Sequence, residues 1–200
     1  MYYNVYDKTE HAKIKEIIYM KLLIASDIHG DLDSAKAVVE AFKREGCDKL
    51  LLLGDILYHG PRNDLPSTYA PKAVISLLNA ERDNILAVRG NCDTEVDQMV
   101  LDFPILADYA YLSLDGLSVF ATHGHKFNTA VTPPLRAGEI LLHGHTHILC
   151  CEEFGSGNFY INPGSAAIPK GNNPRTYLIY ENRKFTVLDM DGHTVLEKQF

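Results

Sequence analysis

A chain of 200 residues with 46% apolar side chains suits one domain with a substantial core, not a disordered chain. A net charge of -7 argues against a general nucleic-acid-binding surface, and no apolar run is long enough to span a membrane. Four cysteines without CxxC spacing indicate reduced thiols and a cytoplasmic protein.

The opening "MYYNVYDKTEHAKIKEIIYMKLLIASD" is too polar for a secretory segment. A second methionine, Met20, directly precedes the first convincing strand. Residues 1–19 are therefore expected to be an extension: an added helix or arm, or the product of an upstream start choice. Residues 20–200 are expected to form one domain. "KLLIASD" reads as a buried parallel strand. Leu32, Ala35, Val39 and Phe42 recur at helical spacing, with Gly46 as the stop. "KLLLLGD" is a second buried strand, "PKAVISLLNA" a helix with Pro71 in its first turn, and "NILAVRGN" a third strand. This β-α-β-α-β half predicts a parallel sheet.

The second half changes character. "YLSLDGLSVFATHGH" signals a hairpin around Asp115-Gly116. "EILLHGH", "HILCCEEF", "FYINPGS", "TYLIYEN" and "KFTVLDMDGHTVLEKQF" supply further strands, the last with a turn at Asp191-Gly192. Two packed mixed sheets flanked by helices are expected, a four-layer α/β sandwich.

Polar residues fall at strand ends. Asp27 and His29 follow the first strand and Asp55 the second. Asn91, Cys92 and Asp93 follow the third, and His123, His125, His145 and His147 follow later ones. Open α/β sheets bind ligands beyond the carboxyl ends of their parallel strands. Gly30, Gly54, Gly90, Gly124 and Gly144 each lie within one residue of a candidate ligand, as close backbone approach requires. Oxygen and imidazole donors without a thiolate cluster suit Mn, Fe, Ni, Co or Zn. Seven ligands are too many for one catalytic ion and suit two ions sharing a carboxylate. His145 and His147 are read as metal ligands, and His143 as a core histidine bonded to backbone.

In this order, "DIH", "GD", "GNCD", "HGH" and "GHTH" resemble the D-x-H, G-D, G-N-[HC]-D, G-H and G-H-x-H pattern of the calcineurin-like metallophosphoesterase superfamily. "LYHGPRN", "VRGNCD" and "NPGSAAIPKG" resemble its small bacterial YfcE-type phosphodiesterases. A more distant relative is a retromer scaffold subunit with degraded ligands. The resemblance implies Asp27, His29 and His147 on one metal, Asn91, His123 and His145 on the other, and Asp55 bridging. It implies two divalent ions, Mn the first choice, and hydrolysis of a small-molecule phosphodiester by a metal-bridging hydroxide. Two divalent ions, two carboxylates and a hydroxide sum to about +1, attractive to a phosphate anion. The catalytic candidates are Cys92, Asp93 and His125. Cys92 stands where many members carry a proton-donating histidine, which puts the general acid in doubt. Arg62 and His125 are candidate phosphate contacts, Arg89 is read as an ion pair, and Asn162 and Ser165 as a turn supporting the metal loops. Alternatives are a phosphomonoesterase, a dinucleotide-polyphosphate hydrolase or a non-catalytic scaffold. No membrane partner is expected. Self-association over strand edges is left open.

Overall fold

The apolar run after Met20 becomes β1 (Leu22–Ala25), buried on both faces, which is why its sequence does not alternate. The computed structural model describes residues 20–200, so the expectation for residues 1–19 lies outside the described residues. Helix α1 (Leu32–Arg44) follows, with the Asp31 side chain capping it by accepting from the Ser34 amide. Next come β2 (Lys49–Leu52), α2 (Pro71–Asn79), a 3-10 turn (Arg82–Asn84) and β3 (Ile85–Ala87). A one-turn helix, α3 (Glu95–Gln98), is closed by a capping box between Thr94 and Asp97. Eight strands complete the order: β4 (Tyr109–Leu114), β5 (Leu117–Thr122), β6 (Ile140–His143), β7 (Cys150–Phe154), β8 (Asn158–Asn162), β9 (Thr176–Glu181), β10 (Lys184–Asp189) and β11 (Thr194–Gln199).

The strands form two sheets, ordered β11-β10-β9-β1-β2-β3 and β4-β5-β6-β8-β7. Both are mixed, as expected. β1, β2 and β3 are mutually parallel, as are β5, β6 and β8, and the outer pairings are antiparallel. Alternate residues serve two cores. Leu23, Ala25, Leu50 and Leu52 face α1 and α2, where Val38, Phe42, Val74 and Leu78 meet them. Leu22, Ile24, Leu51 and Leu53 face the second sheet, against Val119, Ala121, Ile140, Leu142 and Ile161. Each fully buried Leu or Ile contributes about 1.5–3 kcal/mol through loss of water contact. On the far side of the second sheet, Phe127 packs edge-on against Phe120, with centroids 5.6 Å apart. Among the described residues, no helix is long and apolar enough to cross a membrane.

The Asp115-Gly116 hairpin forms between β4 and β5, both residues at positive φ (50° and 81°). Strands β3, β6 and β7 are shorter than their apolar runs suggested, because the chain leaves the ladder early to build the rim loops.

Candidate metal centre

Beyond β1 and β2 the two chains stay side by side. The Asp27 amide donates to Gly54 O (3.2 Å), His29 to Asp55 O (2.9 Å) and Gly30 to Ile56 O (2.9 Å). Asp27, His29, Asp55, His145 and His147 all adopt the left-handed region, with φ of 58°, 50°, 53°, 67° and 60°. Asp tolerates this region better than most side chains, as does His, yet each such residue costs about 1–3 kcal/mol. The neighbouring glycines permit close approach. A Cβ on Gly90 would lie 2.1 Å from Asp55 Oδ1, and one on Gly144 would lie 1.9 Å from Ser26 Oγ.

Asp27, His29 and His147 bring one ligand atom each within 4.8 Å of one another. His147 Nε2 is 3.2 Å from Asp27 Oδ1, and the Nε2 atoms of His29 and His147 are 3.3 Å apart. The opposite ring nitrogens face backbone carbonyls: His29 Nδ1 is 2.8 Å from Tyr58 O, and His147 Nδ1 is 2.7 Å from Ile168 O. With Nδ1–H donating there, each Nε2 turns a lone pair inward, the tautomer of a metal ligand. Asp27 Oδ2 is occupied, accepting from Ser26 Oγ (2.7 Å) and the His145 amide (3.0 Å). Its buried Oδ1 has no hydrogen-bond partner among the described residues.

The second group is built in the same way. Asp55, His123 and His145 lie within the same 4.8 Å limit. His123 Nδ1 donates to Leu53 O (2.7 Å). Its Nε2 therefore faces Asn91 Oδ1 (3.1 Å), His145 Nδ1 (3.1 Å) and Asp55 Oδ2 (3.4 Å). Asp55 Oδ1 accepts the Cys92 amide (2.8 Å), while Oδ2 is also 3.7 Å from His29 Nε2. One oxygen thus faces both groups. Lone pairs this close, with their donors directed elsewhere, require positive charge between them. The donor set fits divalent cations: Asp27, His29, His147 and Asp55 around one, and Asp55, Asn91, His123 and His145 around the other.

Electrostatics point the same way. Burial alone would raise the Asp27 pKa, but the His147 and His29 rings outweigh it and hold the carboxyl well below its usual range. Burial opposes charge on His123, yet contact with Asp55 and the charge of Asp27 raise its pKa to about 9. Without a cation, the site takes up protons instead. His125 goes the other way. Burial, then the charges of His123 and His145, press it down to about 4, so it is neutral at neutral pH. It lies beside His123, with centroids 5.4 Å apart.

Other candidates sort clearly. Both Asp93 oxygens are taken by amides: Oδ2 by Asp55 (2.8 Å) and Gly90 (2.7 Å), Oδ1 by Ile56 (2.9 Å). Asp93 is buried and ties the Asp55 loop to the Asn91 loop. Asp93, expected as a catalytic candidate, instead sits buried with each oxygen on backbone amides, an arrangement that suits a positioning role. Arg89 pairs with Glu95 (3.4 Å), as read. Asn162 Nδ2 donates to Gly144 O (3.0 Å), and Ser165 Oγ donates to Asp27 O (2.9 Å), so both support the metal loops. His143 is buried, stacked on Tyr160 (4.3 Å), with Nδ1 on Gly144 O (3.0 Å), a core histidine as expected. Cys92 is buried, and burial, then Asp55, push its thiol pKa up. It stays a neutral thiol.

These groups open into a cavity of about 290 Å³, lined by Asp55, Asn91, Cys92, His145 and His147 and flanked by Arg62 and Lys170. Neither cation has an ion-pair partner among the described residues. Sequence reasoning missed Lys170, whose signal was a cation closing the "NPGSAAIPKG" loop. It also missed Ser26 and the three carbonyls that set the imidazole tautomers. Backbone carbonyls carry no residue signature.

A family profile for the calcineurin-like phosphoesterase superfamily domain matches residues 20–184. The chain is similar to "Phosphodiesterase YfcE" of Escherichia coli strain K12, 45% identical over 177 residues, 88% of this chain and 96% of that protein. The solved structure of YfcE, a phosphoesterase from E. coli, matches with a TM-score of 0.86 at 44% identity, covering 90% of this chain and 98% of that one. Vacuolar protein sorting 29 from Cryptosporidium parvum matches with a TM-score of 0.60 at 18% identity, covering 90% and 97%, a likeness of fold alone.

Proposed function

The chain belongs to the calcineurin-like phosphoesterase superfamily, and from that premise we propose that it is a phosphodiesterase working with two divalent cations, Mn the first choice. The observation that carries the two-cation reading is Asp55 Oδ2, 3.7 Å from His29 Nε2 and 3.4 Å from His123 Nε2. Asp27, His29 and His147 would hold one cation, Asn91, His123 and His145 the other, and Asp55 both. When bound, the cations supply charge that orients the phosphate and an activated water that attacks phosphorus opposite the departing ester oxygen.

The remaining roles fall to the chain's own groups. Arg62, exposed at the cavity mouth and free of ion pairs among the described residues, grips a phosphate oxygen. Neutral His125 offers an N–H to the phosphate and carries no spare proton. Cys92 is a weak donor. With no strong acid at hand, diesters with good leaving groups react fastest. The full ligand set argues for turnover over a scaffold role. Four free cysteines suit a reducing compartment, consistent with the cytoplasm.

Metal analysis combined with a panel of diesters, monoesters and dinucleotide polyphosphates tests this. The expected result is two ions per chain, activity lost to chelator, and diesters as the fastest class. At most one ion at saturation with full activity rules out the two-cation reading, and faster monoester turnover replaces the diester assignment.

A further inference from the structure

Cys92 lines the metal cavity and also a second cavity of about 330 Å³. Its sulfur lies within 4.8 Å of ligand atoms of His29 and Asp55, so Cys92 stands between the metal centre and the second cavity. The two cavities differ in character. Arg62 and Lys170 make the first cationic at its mouth. The second is walled by Tyr58, Tyr69, Ile75, Val96 and Val100, and its two charged residues, Lys72 and Asp97, offset each other.

Its walls are tied to the metal loops. Tyr58 supplies the carbonyl that accepts from His29 Nδ1 (2.8 Å). The Tyr69 ring closes over Gly30, where a Cβ would come within 2.5 Å of it. Asp31 fixes that segment by accepting from Thr68 Oγ1 (2.6 Å). Tyr58 and Tyr69 sandwich His59 edge-on, at 4.8 and 5.3 Å between centroids. Yet the apolar surface is left open to water. Val96 is 69% exposed and Val100 42%, on and just after the polar helix α3. The Cys92 side chain at the junction is small and packs as an apolar group.

We propose that this second cavity is the subsite for one ester arm of the substrate, a flat, mostly apolar group the size of an aromatic ring, while the phosphate sits in the metal cavity. The proposal rests on the phosphodiesterase reading above and names its substrate class: diesters with one aryl-like arm.

The test compares two probes with one head group, methylphosphonate and phenylphosphonate, titrated by calorimetry into the metal-loaded protein, so that no turnover is needed. Wild type is expected to hold phenylphosphonate about tenfold more tightly, the scale for burying one ring. Val96→Asp should remove that preference and leave methylphosphonate affinity unchanged. Asp is well tolerated in the first turn of a helix. If Val96→Asp also weakens methylphosphonate binding, Val100→Asp decides by the same ratio. Equal affinity for both probes in wild type, or an unchanged ratio in the deciding variant, overturns the subsite alone. Failure of both phosphonates to bind overturns the phosphodiesterase reading and the subsite with it.

Discussion

The rim loops and the β10–β11 turn both gather carboxylate and imidazole groups, and burial and hydrogen bonding tell them apart. Asp189, Asp191 and His193 also bring ligand atoms within 4.8 Å of one another. There, Asp189 Oδ1 accepts the amides of Asp191 (3.0 Å) and His193 (2.9 Å), and Oδ2 meets His193 Nδ1 at 3.1 Å. The His193 amide and ring hold the Asp189 carboxyl below its usual range, and the turn lies at the surface. Both Asp189 oxygens are met within the turn, and Asp191 is open to water. At the rim, Asp27 Oδ1 is buried and unpartnered, and four left-handed ligands beside it direct their open atoms inward. Ligand type alone does not make a metal site. Acceptors held in burial without donors do.

The comparison breaks most sharply at Asp55. Asp55→Asn keeps an Oδ1 able to accept the Cys92 amide but removes the charge that both cation groups share. Even outer-sphere changes cost about 10–100-fold in metal affinity or activity, so loss of the shared carboxylate should cost at least about 100-fold in kcat/KM and lower metal content. Asp191→Ala should change neither. Near-normal turnover with both ions in Asp55→Asn would remove Asp55 as the bridge. Loss of bound metal in Asp191→Ala would make the turn a true site.

Asp93 sharpens the contrast from inside the rim, because its oxygens are fully satisfied like those of Asp189. In Asp93→Asn, one amide nitrogen must face a backbone N–H that now donates to oxygen, at Ile56 or at Asp55 and Gly90. The expected cost is about 10–100-fold in metal affinity, the range for a group that orients a ligand. At saturating metal, the limbs of the pH–rate profile should stay where they are. Loss of one limb would restore Asp93 as a proton-transfer group.

Protons report on the same difference. A free histidine has a pKa of about 6.5, and in the metal-free site Asp55 and Asp27 overcome burial to raise His123 to about 9. A raised imidazole stabilises the metal-free fold fully below the unfolded value, and this is lost as pH rises through about 9. A cation needs Nε2 unprotonated, so metal uptake by the folded chain releases a proton below about pH 9. Metal affinity should climb by up to about tenfold per pH unit as pH rises toward about 9 and then flatten. Calorimetry in buffers of different ionisation enthalpy should count the released proton. No release at pH 7 would mean that His123 is already neutral.

Much of this was legible because the site obeys the rule of strand ends. The runs ending in Asp27, Asp55, Asn91, His123 and His145 each placed a ligand where a parallel strand stops, and apolar continuity marked strands buried on both faces. The Asp115-Gly116 hairpin was equally plain, since its turn needs positive φ at both residues. What stayed hidden depends on distant backbone. The carbonyls of Leu53, Tyr58 and Ile168 select the imidazole tautomers, and a carbonyl is the same in every residue. The glycines beside the ligands allow the close approach expected of them, and Gly30, Gly54 and Gly124 take positive φ, but five of the ligands take the left-handed conformation as well, which no residue pattern announced. Asp93 looked catalytic because it follows Asn91 and Cys92. Its role came from the amide of nearby Gly90 and from those of Asp55 and Ile56, which belong to a loop that sequence cannot place beside it. Helix α3 was missed because one turn is too short to show a period.

The smallest effect is expected at Cys92, where the rim has a wall instead of a ligand. Burial, then Asp55, raise the thiol pKa, and a thiol is a weak donor, so Cys92 gives the departing oxygen little help. Cys92→His supplies a stronger donor. General-acid help is worth ~10²–10⁴-fold when geometry is right, but the pocket limits it here: Cys92 Sγ would stand 3.1 Å from a Cβ on Gly60, so a ring must swing toward the second cavity. A modest gain is the expected outcome, larger for basic leaving groups than for activated aryl esters, because a basic oxygen needs its proton most. The measurement is kcat/KM across aryl phosphodiesters of graded leaving-group pKa, with metal content checked in both proteins. A shallower dependence in Cys92→His supports the argument, and a steeper one contradicts it. An unchanged slope with both ions bound would show that another group already delivers the proton in the wild type. The low pKa of His125 makes that ring a poor source, which leaves water as the donor to examine.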